Sequence, residues 1–223
     1  RATVVIVALA FSASLTSSAL AAGWLLLADL AEVRVPLGSW FAAEHYSFDW
    51  NLVADHLSIP FAIFSAALLG LVAAFSRRYL HRESGFARFY LLLTIFGAAV
   101  EFVVLAGSLD LAFLGWELVG LTSALLIAFF HERRAPVEHG LRAFVTYRLC
   151  DIGLLAAAIS LHSMVGTSDV VPSSTGPWAG FVVPETVLGA TVVGLLLLWA
   201  SMGKAAQVPL SGWLPRAMEG PTP

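Results

Sequence analysis

Residues 185–210 read ETVLGATVVGLLLLWASMGKAAQVPL, and this stretch decides the kind of fold. From Glu185 to Lys204 it is an apolar run, about as long as the ~20 residues that an α-helix needs to cross the hydrocarbon core of a bilayer. The run ends on a lysine that directly follows Gly203, and Pro209 comes shortly after it. Glycine and proline interrupt helices, and an interruption at membrane depth is tolerated only where it lines a cavity. The stretch therefore predicts a discontinuous membrane helix.

Five further apolar runs precede this one, and each reads as a membrane span. The chain of 223 residues is 59% hydrophobic and only 12% charged, which is outside the usual composition of a soluble domain. We predict an all-α, polytopic transmembrane helical bundle with a discontinuous last helix, forming a single transmembrane domain over residues 1–223. Neither end resembles a natural terminus, so we expect a fragment truncated at both ends. The five preceding spans are Thr3–Ala28, Ile59–Phe75, Phe86–Gly107, Leu109–Phe130 and Leu141–Val165.

The arginines predict how these spans alternate, because loops rich in basic residues stay on the cytoplasmic side. Two loops carry them, and the intervening loops 29–58, 107–110 and 166–184 contain only Arg34. The sequence thus places these three loops together on the outer side. We expect loop 29–58 to form a short hairpin or an interfacial helix, and loop 166–184 to be irregular. The arginines that flank the two basic loops are Arg77, Arg78, Arg82, Arg88, Arg133, Arg134 and Arg142.

Composition also narrows the classes of function. A formal net charge of -3 with scattered basic residues argues against nucleic acid as a partner. The single cysteine, Cys150, excludes a cysteine cluster for an iron–sulfur centre or structural zinc, so we expect no cofactor in this chain. No nucleophile is paired with a base, which argues against catalytic residues. The spacing of His131, Glu132 and His139 fits no metal-ligand pattern, and we read these residues as a solvated loop.

Four ionisable residues inside the predicted spans matter most for function. A charge at membrane depth is costly, so it normally faces a partner or a water-filled cavity and marks a functional path. Glu117 lies near the middle of the fourth span, either as a proton carrier or as a buried carboxyl that only joins helices. Arg148 and Asp151 lie three positions apart on one helix face, where an ion pair could lock helices or tune Glu117. We predict a proton path through Glu117, Arg148, Asp151 and Lys204.

Lys204 is the most informative of the four. Burial penalises its charged form and a nearby carboxylate favours it, so a lysine balanced between the two effects can take and release a proton. The alternative is a lysine whose ammonium extends to the headgroups. Glu101, in the third span, is either an auxiliary proton site or a helix contact. His162, near the outer end of the fifth span, is the other auxiliary candidate, although we expect it to be solvated, as we expect for Asp110 at the outer hairpin.

Three stretches carry a family resemblance: Phe113–Leu126, Phe144–Asp151, and Gly203–Leu210 with the residues that follow it up to Pro223. They resemble the antiporter-like proton-conducting family, whose members include subunit L (chain 5) of respiratory complex I and the A subunit of Mrp-type sodium/proton antiporters. The resemblance implies that the six spans are helices two to seven of a larger subunit, forming its N-terminal half-channel.

The resemblance also implies roles for single residues. Glu117 matches the family's glutamate of the fifth helix and Lys204 the lysine of its broken seventh helix, and these two are expected to interact. Arg148 and Asp151 match a charged pair on the sixth helix. Two features depart from the family pattern: Glu101 stands where an apolar residue is usual, and the segment 129–136 differs from the complex I form.

The function expected from this resemblance is proton translocation by a membrane subunit of a complex I-like NADH:quinone oxidoreductase. Its partners would be the other membrane subunits of a multi-subunit complex and the lipid bilayer. The transported ion would be the proton or, alternatively, sodium. The expected location is a bacterial inner membrane. The alternatives are a subunit of an Mrp-type sodium/proton antiporter and an energy-coupling subunit of an inorganic-carbon uptake complex. A purely structural membrane scaffold is the remaining alternative.

Overall fold

Six long helices make up most of the described part of the chain. The computed structural model describes residues 2–43, 46–171 and 179–221. Every one of the six helices is long and apolar enough to cross a membrane, which confirms the predicted number of spans. The last of them ends at Lys204, as predicted. The helices are α1 (Ala2–Leu27), α2 (Ser58–Tyr79), α3 (Phe86–Val104), α4 (Leu109–Ile127), α5 (Arg134–Val165) and α6 (Val187–Lys204).

The start of α5 differs most from the prediction, which placed it at Leu141. The helix begins at Arg134, and Pro136 lies in its first turn, where the missing N–H of proline had no helical partner in any case. Its first turns are polar and include an ion pair between Arg134 and Glu138. Because hydropathy detects only the apolar part of a helix, the polar extension was missed.

The connection between α1 and α2 forms an antiparallel hairpin, so the bundle is not purely helical. Strand β1 (Glu32–Ala43) pairs with β2 (Tyr46–Asp55), with Glu32 opposite Asp55. Of the two predicted forms, hairpin or interfacial helix, the structure has the hairpin. In loop 166–184, predicted to be irregular, β3 (Val170–Val171) pairs with β4 (Gly180–Phe181). The remainder of that prediction, residues 172–178, lies outside the described residues.

Backbone hydrogen bonds join the three arginine-poor loops at one end of the bundle. The amide of Gly107 donates to the carbonyl of Asn51 over 2.7 Å, and the amide of Val170 donates to the carbonyl of Gly107 over 2.8 Å. At the other end, Arg88 Nη2 donates to the carbonyl of Phe129 over 2.6 Å, which links the two arginine-rich loops. The alternation of spans predicted from the arginines is therefore confirmed.

Buried apolar clusters hold the helices together, and two of them are large. One joins α1, α2 and α3 through side chains such as Phe11, Leu69 and Leu93, and the other joins α4, α5 and α6. Many large apolar side chains on the outer helix faces are exposed instead, for example Leu20 at 75%. An apolar exterior of this kind is stable only against lipid, since water would penalise it. The chain is an integral membrane protein.

Candidate functional site

A buried ion pair joins α5 to α6. The ammonium nitrogen of Lys204 lies 3.2 Å from Oδ1 and 3.3 Å from Oδ2 of Asp151. The side chain of Asp151 is 3% exposed and that of Lys204 14% exposed. Two opposite charges removed from water in this way stabilise one another strongly, and the loss of either leaves the other uncompensated. Lys204 is therefore held inside the bundle rather than extended to the headgroups.

Two aromatic rings complete the surroundings of this pair. Nζ of Lys204 lies 5.0 Å from the ring centre of Trp116 on α4 and 5.1 Å from that of Tyr147 on α5. Ring faces attract cations at this range. Nε1 of Trp116 also donates a hydrogen bond of 2.6 Å to Oδ1 of Asp151. Neither aromatic residue is among the predicted site residues, although each directly adjoins a predicted charged residue along the chain.

A second ion pair joins α4 to α5. Nη1 of Arg148 contacts Oε2 of Glu117, and the guanidinium also lies 4.8 Å from the ring centre of Phe144. The side chain of Glu117 is 17% exposed and that of Arg148 44% exposed. Arg148 and Asp151 thus have partners on different helices. The i,i+3 ion pair that their spacing allows is not formed, because the neighbouring helices offer each of them a closer opposite charge.

The four predicted charges form one row across α4, α5 and α6: Glu117, Arg148, Asp151 and Lys204. Since Arg148 and Asp151 lie on adjacent turns of α5, the two ion pairs are neighbours. The expected direct interaction between Glu117 and Lys204 is replaced by this row, in which two α5 residues stand between them. A change of charge at Glu117 can therefore alter the electrostatic stabilisation of the Lys204 ammonium through Arg148 and Asp151.

The end of α6 shows why the helix stops at Lys204. Ala206 has a positive φ of 51°, outside the right-handed helical region, and Pro209 follows three residues later. The chain then continues in two short 3₁₀ helices at Leu210–Trp213 and Pro215–Glu219. Nε1 of Trp213 donates to the carbonyl of Gly203 over 3.0 Å, which satisfies a carbonyl at the helix end. The predicted interruption before Pro209 is present, although Gly203 itself still belongs to α6.

Gly120 on α4 leaves space for the ammonium of Lys204 beside Asp151. A Cβ atom at Gly120 would lie only 2.8 Å from Nζ of Lys204. We therefore expect Gly120→Ala to push the ammonium away from Asp151 and Trp116. Moving a reacting group by about 1 Å can cost ~100-fold in rate. In vesicles that contain the intact subunit and its partners, the predicted proton transport should fall by about tenfold or more.

Gly194→Ala is the matched control for this substitution. Gly194 lies on α6, and no atom of the described residues lies within 4 Å of a Cβ added there. Both variants make the same chemical change in a membrane helix, and only one of them approaches the lysine. If Gly120→Ala transported protons as fast as Gly194→Ala, the position of the ammonium would not control transport.

The two auxiliary candidates lie apart from the row. Glu101 faces α1 and α2, where Ser14 and Ser65 donate hydrogen bonds to its Oε1. His162 packs its ring against Tyr46, with 5.1 Å between the ring centres. It lines an outer cavity of about 310 Å³ together with Asp110.

The cavity surrounds His162 and Asp110 with polar groups, and the expectation that they are solvated stays a prediction. Both are half-buried, and Oδ2 of Asp110 accepts a hydrogen bond of 2.5 Å from Ser168. Burial and the nearby Asp110 raise the pKa of the Tyr46 phenol, which keeps it a neutral donor.

The residues with metal-ligand side chains lie at the opposite end. His131 and Glu132 are exposed in the loop after α4, as predicted. His139 is half-buried within α5 instead, because that helix starts earlier than predicted. Within the described residues 2–43, 46–171 and 179–221, no group of three or more His, Cys, Asp or Glu side chains could hold a metal ion.

Two family models match most of the chain. Residues 106–223 match the family described as NADH:quinone oxidoreductase/Mrp antiporter, TM. Residues 40–90 match the family described as NADH-Ubiquinone oxidoreductase (complex I), chain 5 N-terminus. The first match contains the entire row of charges and the broken helix.

Similar proteins include chain 5 and subunit L of quinone oxidoreductases and a chain of a solved Mrp complex. NAD(P)H-quinone oxidoreductase chain 5 of Synechocystis is 34% identical over 187 residues, which are 82% of this chain and 27% of that protein. NADH-quinone oxidoreductase subunit L of Pseudomonas aeruginosa is 32% identical over 212 residues, 92% of this chain and 34% of that protein. The solved Mrp complex of a Dietzia species superposes with a TM-score of 0.75 at 25% identity, covering 98% of this chain and 24% of that one. The chain thus spans about a quarter to a third of the length of these relatives.

Proposed function

Since the chain belongs to the family of membrane subunits shared by NADH:quinone oxidoreductases and Mrp antiporters, we propose that it forms the N-terminal half-channel of a proton-translocating subunit of a quinone-reducing complex. The observation that carries this proposal is the row of two ion pairs across α4, α5 and α6, which ends at the broken helix. Charges at membrane depth mark ion pathways. A row whose members alternate in sign is suited to moving a proton without exposing a bare charge to lipid.

The chemistry of the four groups assigns them different roles. Lys204 is the group that gives and takes the proton, because an ammonium can lose a proton while the guanidinium of Arg148 stays charged. Asp151 holds the proton on Lys204 through its negative charge, 3.2 Å away. Glu117 is the counter-ion of Arg148 and so keeps the guanidinium away from Asp151.

A shift of Arg148 connects the two pairs. When Glu117 takes up a proton or moves away, Arg148 loses its counter-ion and is attracted to Asp151, its neighbour on α5. Lys204 then loses its own counter-ion and releases its proton. The broken end of α6 provides the nearby polar backbone that can receive it, because unwound backbone at membrane depth lines a cavity.

The driving reaction belongs to other chains in this proposal. We place the subunit in a bacterial inner membrane, among other membrane subunits of one complex, and the redox groups in its partners. The related proteins carry names of the form subunit L and chain 5, and the solved relative is part of a complex, which supports a multi-subunit assembly.

Sodium/proton antiport is the second candidate, favoured by the likeness to the Mrp complex over 98% of this chain. The two functions share the row of charges and differ in the driving force. Acidification of vesicles driven by quinone reduction supports the first, and a pH change driven by an imposed sodium gradient supports the second. Coupling to inorganic-carbon uptake stays a prediction.

Glu117→Gln tests the proposal against a purely structural role. The amide keeps the size of the side chain and cannot bind a proton, so proton transport by the assembled complex should fall by about tenfold or more. The measurement is pH-gradient formation in vesicles, normalised to the assembled complex. Glu138→Gln, at an exposed glutamate paired with Arg134 near the start of α5, is the control. If Glu117→Gln reduced the amount of assembled complex but left the transport rate of each remaining complex normal, a purely structural role would be supported instead.

A further inference from the structure

We propose that Glu101, with Ser14 and Ser65, forms a second proton-binding site in the membrane, between α1, α2 and α3 and separate from the row of charges. Oε1 of Glu101 lies 3.0 Å from Oγ of Ser65 and 3.3 Å from Oγ of Ser14. Its other oxygen, Oε2, is buried and has no hydrogen-bond partner within the described residues. Three helices thus converge on a single carboxyl group.

The depth of Ser14 places this site within the hydrocarbon region. Ser14 lies near the middle of α1 (Ala2–Leu27), about 18–20 Å from either end at 1.5 Å per residue. The site is also on the opposite side of α3 from the row. Gly115 of α4 packs against the backbone of Ala99 and Val103, whereas Glu101 faces α1 and α2.

Among the described residues, no cation lies close enough to this carboxyl to neutralise it. Helix α1 contains no ionisable residue, and α2 has only Arg77, Arg78 and Tyr79, at the end remote from Ser65 by about 18 Å. On α3, Arg88 and Tyr90 lie at least three turns before Glu101, about 16–20 Å away. The acidic residues of α4 are engaged elsewhere, Asp110 with Ser168 and Glu117 with Arg148.

A proton is the counter-ion that fits this geometry. An unpaired carboxylate at membrane depth is strongly penalised, and a bound proton removes the charge. The hydroxyl of Ser65 also lies 3.0 Å from the carbonyl of Ala62. A protonated Glu101 can therefore donate to Ser65 while Ser65 donates to Ala62, so that each hydrogen has an acceptor.

Labelling with dicyclohexylcarbodiimide tests the site in membranes that contain the intact subunit and its partners. This lipid-soluble reagent adds to a protonated carboxyl: the carboxyl oxygen bonds to the central carbon and the proton moves to a nitrogen. We expect an adduct on Glu101, located by peptide mass spectrometry, that is lost in Glu101→Gln and decreases as the pH is raised. Exposed Glu83, in the loop between α2 and α3, serves as the hydrated comparison and should remain unmodified.

Infrared spectroscopy gives a second, reagent-free measurement. The carbonyl stretch of a protonated carboxylic acid should be present in wild type and absent in Glu101→Gln. If neither this band nor the adduct is found, the proposal is overturned and the glutamate is an ionised helix contact. Protection of Glu101 by sodium ions would overturn it in favour of a sodium site. None of these readouts requires transport, so they stand or fall independently of the row proposed above.

Discussion

Lys204→Arg is expected to abolish proton transport while the complex still assembles. Arginine keeps a positive charge opposite Asp151 but does not release its proton at any working pH, so the substitution separates charge from proton transfer. General acid–base steps contribute about 10²–10⁴-fold, and removing this one should reduce transport to the background rate. The measurement is the rate of pH-gradient formation in vesicles with native partners, divided by the amount of assembled complex.

Lys204→Ala provides the comparison. It removes both the proton carrier and the counter-ion of a carboxylate that is only 3% exposed, so it should lower assembly as well as transport. The arginine variant should lower transport alone. Wild-type transport by Lys204→Arg would show that the lysine acts only as a fixed charge, and the relay proposed here would be wrong.

Asp151→Asn should have the largest effect on stability. The amide leaves the ammonium of Lys204 in the bundle without a counter-ion, although Trp116 and Tyr147 still face it. Breaking a buried ion pair from one side typically costs ~3–5 kcal/mol of unfolding free energy. We expect a lower midpoint of thermal unfolding in detergent and less assembled complex.

A double variant separates the loss of the pair from the loss of the site. Adding Lys204→Met to Asp151→Asn removes the unpaired charge and retains an unbranched side chain of similar length. We expect most of the stability to return while proton transport stays absent. If the loss of stability in the double variant equalled the sum of the losses in Asp151→Asn and Lys204→Met alone, Asp151 and Lys204 would not be coupled.

Much of the fold could be predicted from the sequence because a membrane imposes local rules. A span is an uninterrupted apolar run of fixed length, and the arginines in the connecting loops report their side. The six helices, their alternation and the break after Lys204 all follow from these rules. The hairpin Glu32–Asp55 and the early start of α5 do not, since neither lies in an apolar run.

The sequence alone also determined which residues carry charge into the membrane: Glu117, Arg148, Asp151 and Lys204. Only the tertiary structure decided how they pair. Spacing along the chain favours Arg148 with Asp151, three residues apart, whereas Asp151 pairs with Lys204, 53 residues away. Partner choice depends on the rotation and depth of each helix against its neighbours, which packing contacts such as those at Gly115 and Gly203 set. These contacts join distant parts of the chain, and no local pattern records them.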